Sequence, residues 1–189
     1  VKEELRKLAK KLEDKATIAG GCFRSLREDN EPNDIDIFCI SKSTFEETVK
    51  IVQEFTGLDR VETNHSVEFG KYTIIKCFRN KGRKLYGKPT DLVQLFDINI
   101  IKLYMTPDGE IITTEDGDID KLYKDIDNRS FDVYAFNEHE ARTMTRINKY
   151  ISYGYTLKQT VKKNLHYSFF EIVDGELEFD YGSAFGSYL

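Results

Sequence analysis

Gly20 and Gly21 end a short apolar run, Ala16 to Ala19, and a polar turn through Pro32 leads on to the alternating segment Asp34-Ile35-Asp36-Ile37-Phe38-Cys39-Ile40. Glycines at a strand end let backbone N–H groups approach phosphate oxygens closely, and the N-terminus of a following helix favours the same negative charge. Side chains two apart on a strand leave from one face, so Asp34 and Asp36 stand side by side. Paired carboxylates are the hard oxygen ligands that Mg2+ takes together with water and substrate phosphate. With a third carboxylate, such a site holds two ions that activate an attacking hydroxyl and neutralise the charge on the phosphoryl group and the departing pyrophosphate. The chemistry this pattern points to is nucleotidyl transfer.

The sequence contains its own control. Asp118-Ile119-Asp120 repeats the tripeptide of Asp34-Ile35-Asp36 but lacks the Gly-Gly upstream and the apolar strand downstream, so it reads as a helix cap. For the third carboxylate we favour Asp97, which interrupts the apolar run from Leu92 and would be costly to bury without a metal or a basic partner. Asp91, at the start of that run, is the alternative, and a plain loop role for Asp97 stays open.

The stretch Ala19-Gly20-Gly21-Cys22-Phe23-Arg24, a spacer and Asn33-Asp34-Ile35-Asp36-Ile37 resemble the nucleotidyltransferase motif of the DNA polymerase β superfamily. Within it the chain is most similar to the head domain of class II CCA-adding enzymes and bacterial poly(A) polymerases, with one departure: Ser25 stands where the family has an aspartate after the arginine. Arg142 to Tyr150 with Gly154-Tyr155 resembles the arginine-rich helix that closes such heads. The resemblance implies Asp34 and Asp36, joined by the favoured third carboxylate Asp97, as catalytic ligands for two Mg2+ ions, and Gly20, Gly21 and Arg24 as contacts to the NTP phosphates. It also implies Arg142 or Arg146 along the nucleotide cleft. An RNA 3' end, such as that of tRNA, is the favoured acceptor. A protein or small-molecule acceptor, or a catalytically silent fold that binds RNA or protein, are the other readings.

The charge pattern bears on the partner. Phe69 to Thr90 and Ala141 to Phe170 hold thirteen of the 28 Lys and Arg and no acid, while the rest of the chain holds all 33 acids. An acidic protein of net charge -5 can therefore still present a local positive field. Arg79, Lys81, Arg83 and Lys84, interleaved with aromatics, are the candidate nucleic-acid contacts. Cys22, Cys39 and Cys77 form no CxxC pair, and the three histidines form no i, i+4 pair, so zinc and disulfide frameworks are not expected. No apolar run of about 18 residues is present and no secretory leader is visible, which reads as a cytoplasmic protein without membrane contact.

These residues need elements to position them. Leu5, Leu8 and Leu12 stripe a charged helix from Lys2 to about Lys15; a strand, Ala16 to Ala19, precedes a helical turn, Cys22 to Arg27. Ser43 and Glu46 suggest a capping box before a helix from Thr44 to Phe55. Strands are expected at Ser66 to Phe69, Tyr72 to Phe78, Leu92 to Met105 (unbroken or split near Asp97) and Ile111-Ile112, and helices at Asp118 to Asp127 and Asn137 to Tyr153. A hairpin turn falls at Val173 to Glu176. The expected class is α+β, a nucleotidyltransferase-type mixed sheet with helices on one side. A catalytic domain would span 1–157, followed by a small C-terminal helical and hairpin extension over 158–189.

Overall fold

A computed structural model describes residues 1–77, 88–114, 117–135, 140–162, 172–173 and 176–177, the side chains of 135, 140–142, 159–162 and the last four excepted. The helices are α1 (Lys2–Leu12), α2 (Gly21–Arg27), α3 (Lys42–Thr56), α4 (Pro89–Gln94), α5 (Ile119–Asp127) and α6 (Glu140–Ser152), with a 3-10 turn at Asn99–Ile101. The strands are β1 (Thr17–Ala19), β2 (Ile35–Cys39), β3 (Val61–Glu62), β4 (Ser66–Phe69), β5 (Tyr72–Lys76), β6 (Tyr104–Met105) and β7 (Ile111–Ile112). They are followed by β8 (Ser130–Ala135), β9 (Thr156–Lys162), β10 (Ile172–Val173) and β11 (Glu176–Leu177).

Strands β1 to β7 form one mixed sheet in the order β3-β4-β5-β2-β1-β6-β7. All neighbours are antiparallel except β2 and β5. That parallel pair needs the crossover that α3 supplies. The period-2 alternation of β2 divides its side chains between two cores. Ile35, Ile37 and Cys39 join the larger core under α1, α2, α3 and α5, with Leu5, Leu8 and Leu12 of α1 fully buried. Phe38 lies on the other face, with Ala19, Ile75, Leu92, Val93, Phe96 and Tyr104. Asp34 and Asp36 share that second face.

Several expected elements stand. The capping box at Ser43 does not: α3 begins at Lys42, with Ser41 at its N-cap and the Ser41 hydroxyl 2.7 Å from that of Ser43. The largest difference is Leu92 to Met105. It contains the second half of α4, the 3-10 turn and only a two-residue strand at its end, and α4 covers the face of the sheet left open in the one-sided expectation. Pro89 at the first helical position and Asp91, whose carboxylate accepts the Lys88 N–H at 3.0 Å, start this helix. Asp118 caps α5 by accepting the N–H groups of Asp120 and Lys121, both at 3.0 Å.

The parallel pair β8–β9, joined through α6, was not anticipated. A small polar network ties it to the 3-10 turn and to α5. Asn99 accepts the Asp132 N–H and donates to Asp125, each at 2.8 Å, while Lys158 reaches Asp125 at 2.7 Å and Asp132 at 3.5 Å. Antiparallel β10 and β11 pair Val173 with Glu176, as the hairpin reading expects. Among the described residues no helix is long and apolar enough to cross a membrane.

Candidate active site

The β1–β2 register places Ala19 opposite Asp36, so the chain leaving β1 turns beside the aspartate pair. At that turn Gly20 has φ 98°, a region L side chains rarely adopt, and its N–H donates to the Leu103 carbonyl at 2.9 Å. A Cβ on Gly20 would lie 3.8 Å from Asp36 Oδ2 and 3.9 Å from the Phe96 ring. Glycine here answers to the backbone angle, since there is room for a methyl group. Gly21 opens α2, and a Cβ there would lie 3.8 Å from the Tyr150 hydroxyl of α6. The site thus lies where the end of β1, the start of β2, the start of α2, Phe96 and α6 converge.

Asp34 is exposed and Asp36 half-buried. Burial and the charge of Asp34 push the Asp36 carboxyl from 3.8 up to about 7, against the pull of Lys149 and Arg146. Neither aspartate makes a side-chain hydrogen bond or ion pair with the described residues. Two adjacent hard oxygen donors that disfavour each other's charge, with no hydrogen-bonded base to satisfy them, suit a divalent cation. Buried Cys22 lies close enough that burial, then Asp36 and Asp34, raise its thiol well above the usual range; a nucleophilic thiolate is disfavoured there.

The structure redistributes the other candidates. Asp97 is 3% exposed, and its carboxylate turns to α6: Oδ1 lies 2.9 Å from an Arg146 guanidinium nitrogen, and Oδ2 accepts from the Thr143 hydroxyl at 2.9 Å. Its main-chain carbonyl accepts the Tyr134 N–H. Burial of this carboxylate is balanced by a base. Among the described residues no three His, Cys, Asp or Glu side chains are grouped to hold a metal, and the Asp97 carboxylate is engaged by Arg146 and Thr143. Asp91, the alternative, lies in the first turn of α4, where its carboxylate accepts the N–H of the N-cap residue Lys88.

Arg24 is likewise engaged within the protein. It donates to Glu28 at 2.6 Å and to the Ser25 hydroxyl at 3.0 Å, and its guanidinium lies 5.3–5.8 Å from the ring centroids of Tyr150, Tyr153 and Tyr155. Its carboxylate partner, Glu28, stands four residues on, just past the end of α2. The Arg24–Glu28 spacing of i, i+4 at the end of α2 was the signal for it. Arg146 is partly exposed and held by Asp97. Arg142 lies on α6, but its side chain is outside the described residues, as are Arg79, Lys81, Arg83 and Lys84. Phe96 lies at the site without having been singled out by sequence, its ring 3.9 Å from where a Gly20 Cβ would stand.

A family model described as Gabija anti-defense 2 family protein matches residues 1–124. No curated protein matches the sequence. Among solved structures, the fold is similar to that of the Thermotoga maritima CCA-adding enzyme complexed with tRNA, with a TM-score of 0.56 and 16% identity over 82% of this chain and 38% of that one. The Bacillus stearothermophilus CCA-adding enzyme in complex with CTP is similar at a TM-score of 0.55 and 17% identity, over 82% of this chain and 40% of that one. The chain spans about two fifths of the length of these enzymes, and at such identity the likeness is one of fold: the α+β architecture of their nucleotidyltransferase heads.

Proposed function

This chain belongs to the Gabija anti-defense 2 family, and from that premise we propose that it is an Mg2+-dependent nucleotidyltransferase that moves NMP from an NTP to a hydroxyl, with an RNA 3' end as the acceptor. The observation that carries the reading is the juxtaposition of the Gly20 turn with Asp36 across the β1–β2 pair. It sets a backbone able to approach phosphate beside two otherwise unpaired carboxylates. The fold shared with CCA-adding enzymes supports it.

In the proposed reaction the acceptor oxygen bonds to the α-phosphorus, the bond from that phosphorus to its bridging oxygen breaks, pyrophosphate leaves with the electron pair, and the hydroxyl proton passes to solvent. Asp34 and Asp36 would hold Mg2+, which when bound supplies charge neutralisation at the phosphates and acidifies the attacking hydroxyl. The Gly20-Gly21 backbone leaves room for the phosphates, and Phe96 closes the floor of the site against water.

Membership of a family named for opposing a defense favours a second acceptor, a protein or small-molecule component of that defense, with the same chemistry. One experiment addresses both. The protein is incubated with Mg2+, each labelled NTP and a mixture of RNA and protein, with Asp36→Ala as the control. Label in RNA that disappears in the control supports the first acceptor, and label in protein the second. Undiminished transfer by Asp36→Ala would sink the reading, as would failure of the wild type to bind or turn over any NTP. RNA binding should also weaken steeply with salt, whereas transfer to a small neutral acceptor should not.

A further inference from the structure

Beside the Gly20-Gly21 turn stands a polar atom that the proposed reaction does not use. A Cβ on Gly20 would face Asp36 Oδ2, and a Cβ on Gly21 would face the Tyr150 hydroxyl, each at 3.8 Å, so a carboxylate and a phenol flank the same dipeptide. We propose that the Tyr150 hydroxyl donates a hydrogen bond to a phosphate oxygen of the nucleotide seated at this turn. The proposal rests on the nucleotidyltransferase reading and adds to it a substrate contact from α6.

Packing fixes that hydroxyl in place. Tyr150 is 5% exposed, and its ring centroid lies 5.8 Å from that of Phe131, 5.9 Å from that of Tyr155 and 6.1 Å from that of Tyr153. The Arg24 guanidinium lies 5.5 Å from the same centroid and is itself held by Glu28 at 2.6 Å. These contacts hold the ring at several points, so the oxygen at its tip stays beside Gly21. A buried tyrosine hydroxyl ordinarily finds a hydrogen-bond partner, yet Tyr150 forms no side-chain hydrogen bond among the described residues. A phosphate oxygen at the turn supplies the missing acceptor. A phenol keeps its proton at neutral pH, so the pairing needs no change of protonation, and a donor fixed before the substrate arrives loses little freedom on binding.

Calorimetric titration of the full chain with Mg2+ and ATP, CTP, GTP, UTP or inorganic triphosphate tests the contact. Tyr150→Phe removes one oxygen and keeps the ring, so the thermal melt should match that of wild type while the bound probe weakens by about ten-fold or more, as for a lost hydrogen bond to a charged group. Tyr155→Phe, which removes a buried and unpaired hydroxyl from the same cluster, should bind like wild type. In turnover assays the loss in Tyr150→Phe should fall on KM for the NTP more than on kcat. Equally tight binding by Tyr150→Phe overturns the contact alone, as does an equal loss in Tyr155→Phe, which would make the effect one of packing. A loss with the NTPs but none with a triphosphate that wild type binds overturns the assignment to phosphate. No binding of any probe by the wild type overturns the nucleotidyltransferase reading, and the Tyr150 contact with it.

Discussion

Arg146→Met separates a structural Asp97 from a metal-bound one. In the folded protein the Asp97 carboxylate is 3% exposed and opposite Arg146, whose side chain is 23% exposed. Removing the arginine strands a buried charge, a change that commonly costs about 3–5 kcal/mol. The lower end applies here, because Asp97 Oδ1 meets Arg146 as a charge contact without an aligned hydrogen bond and the Thr143 hydroxyl remains as a donor to Oδ2. A loss of about 3 kcal/mol lowers Tm by about 6–12 °C in a chain of this length. Asp97→Asn should cost only about 1 kcal/mol, since the freed arginine can hydrate, and the double variant Asp97→Asn/Arg146→Met should recover most of the loss of Arg146→Met. Urea unfolding in EDTA measures all three, with Mg2+ titration of Asp97→Asn alongside, which should bind like wild type. Stability of Arg146→Met within about 1 kcal/mol of wild type, or a double variant no better than Arg146→Met, would refute the argument; loss of Mg2+ binding in Asp97→Asn would restore Asp97 to the metal.

Gly20→Ala should destabilise by about 1–2 kcal/mol, from the backbone angle alone since its Cβ meets nothing closer than 3.8 Å; urea unfolding checks it, and a neutral result would mean that the turn relaxes. Lys158→Met leaves Asp125 and Asp132 buried with their cation gone and should cost about 2–3 kcal/mol at pH 7. Burial works to lower the Lys158 pKa, but Asp125 and Asp132 outweigh it, so the ammonium titrates above 10.5. A raised folded pKa means that the stabilisation is complete below 10.5 and fades as pH climbs through the raised value. The gap between wild type and Lys158→Met should therefore be flat from pH 7 to about 10 and close above that, and a gap that already shrinks near neutrality would contradict the pairing.

Much of the site was legible because its signals are local. Gly-Gly after an apolar run and alternating aspartates on a strand depend on backbone periodicity, and α1, α3 and α5 follow from apolar spacing and, for α5, from the Asp118 cap. Leu92 to Met105 misled because a short apolar run has no period long enough to separate strand from helix, although Pro89 and Asp91 marked the helix start. Strands β8 and β9 escaped for another reason: Asp132 sits mid-strand, 2% exposed, and its burial becomes tolerable only beside Lys158 and Asn99, which lie far away along the chain.

The sequence by itself determined that a Gly-Gly turn and a carboxylate pair belong to one α+β sheet, since residue order, glycine freedom and strand alternation are properties of the chain alone. Which charges remain for a substrate was decided only by tertiary structure. Arg24, Arg146 and Asp97 looked like site residues one at a time, yet each buried charge must find an opposite charge or remain in water. Folding gave Arg24 to Glu28 and the tyrosines, paired Arg146 with Asp97, and left Asp34 and Asp36 without a side-chain partner among the described residues.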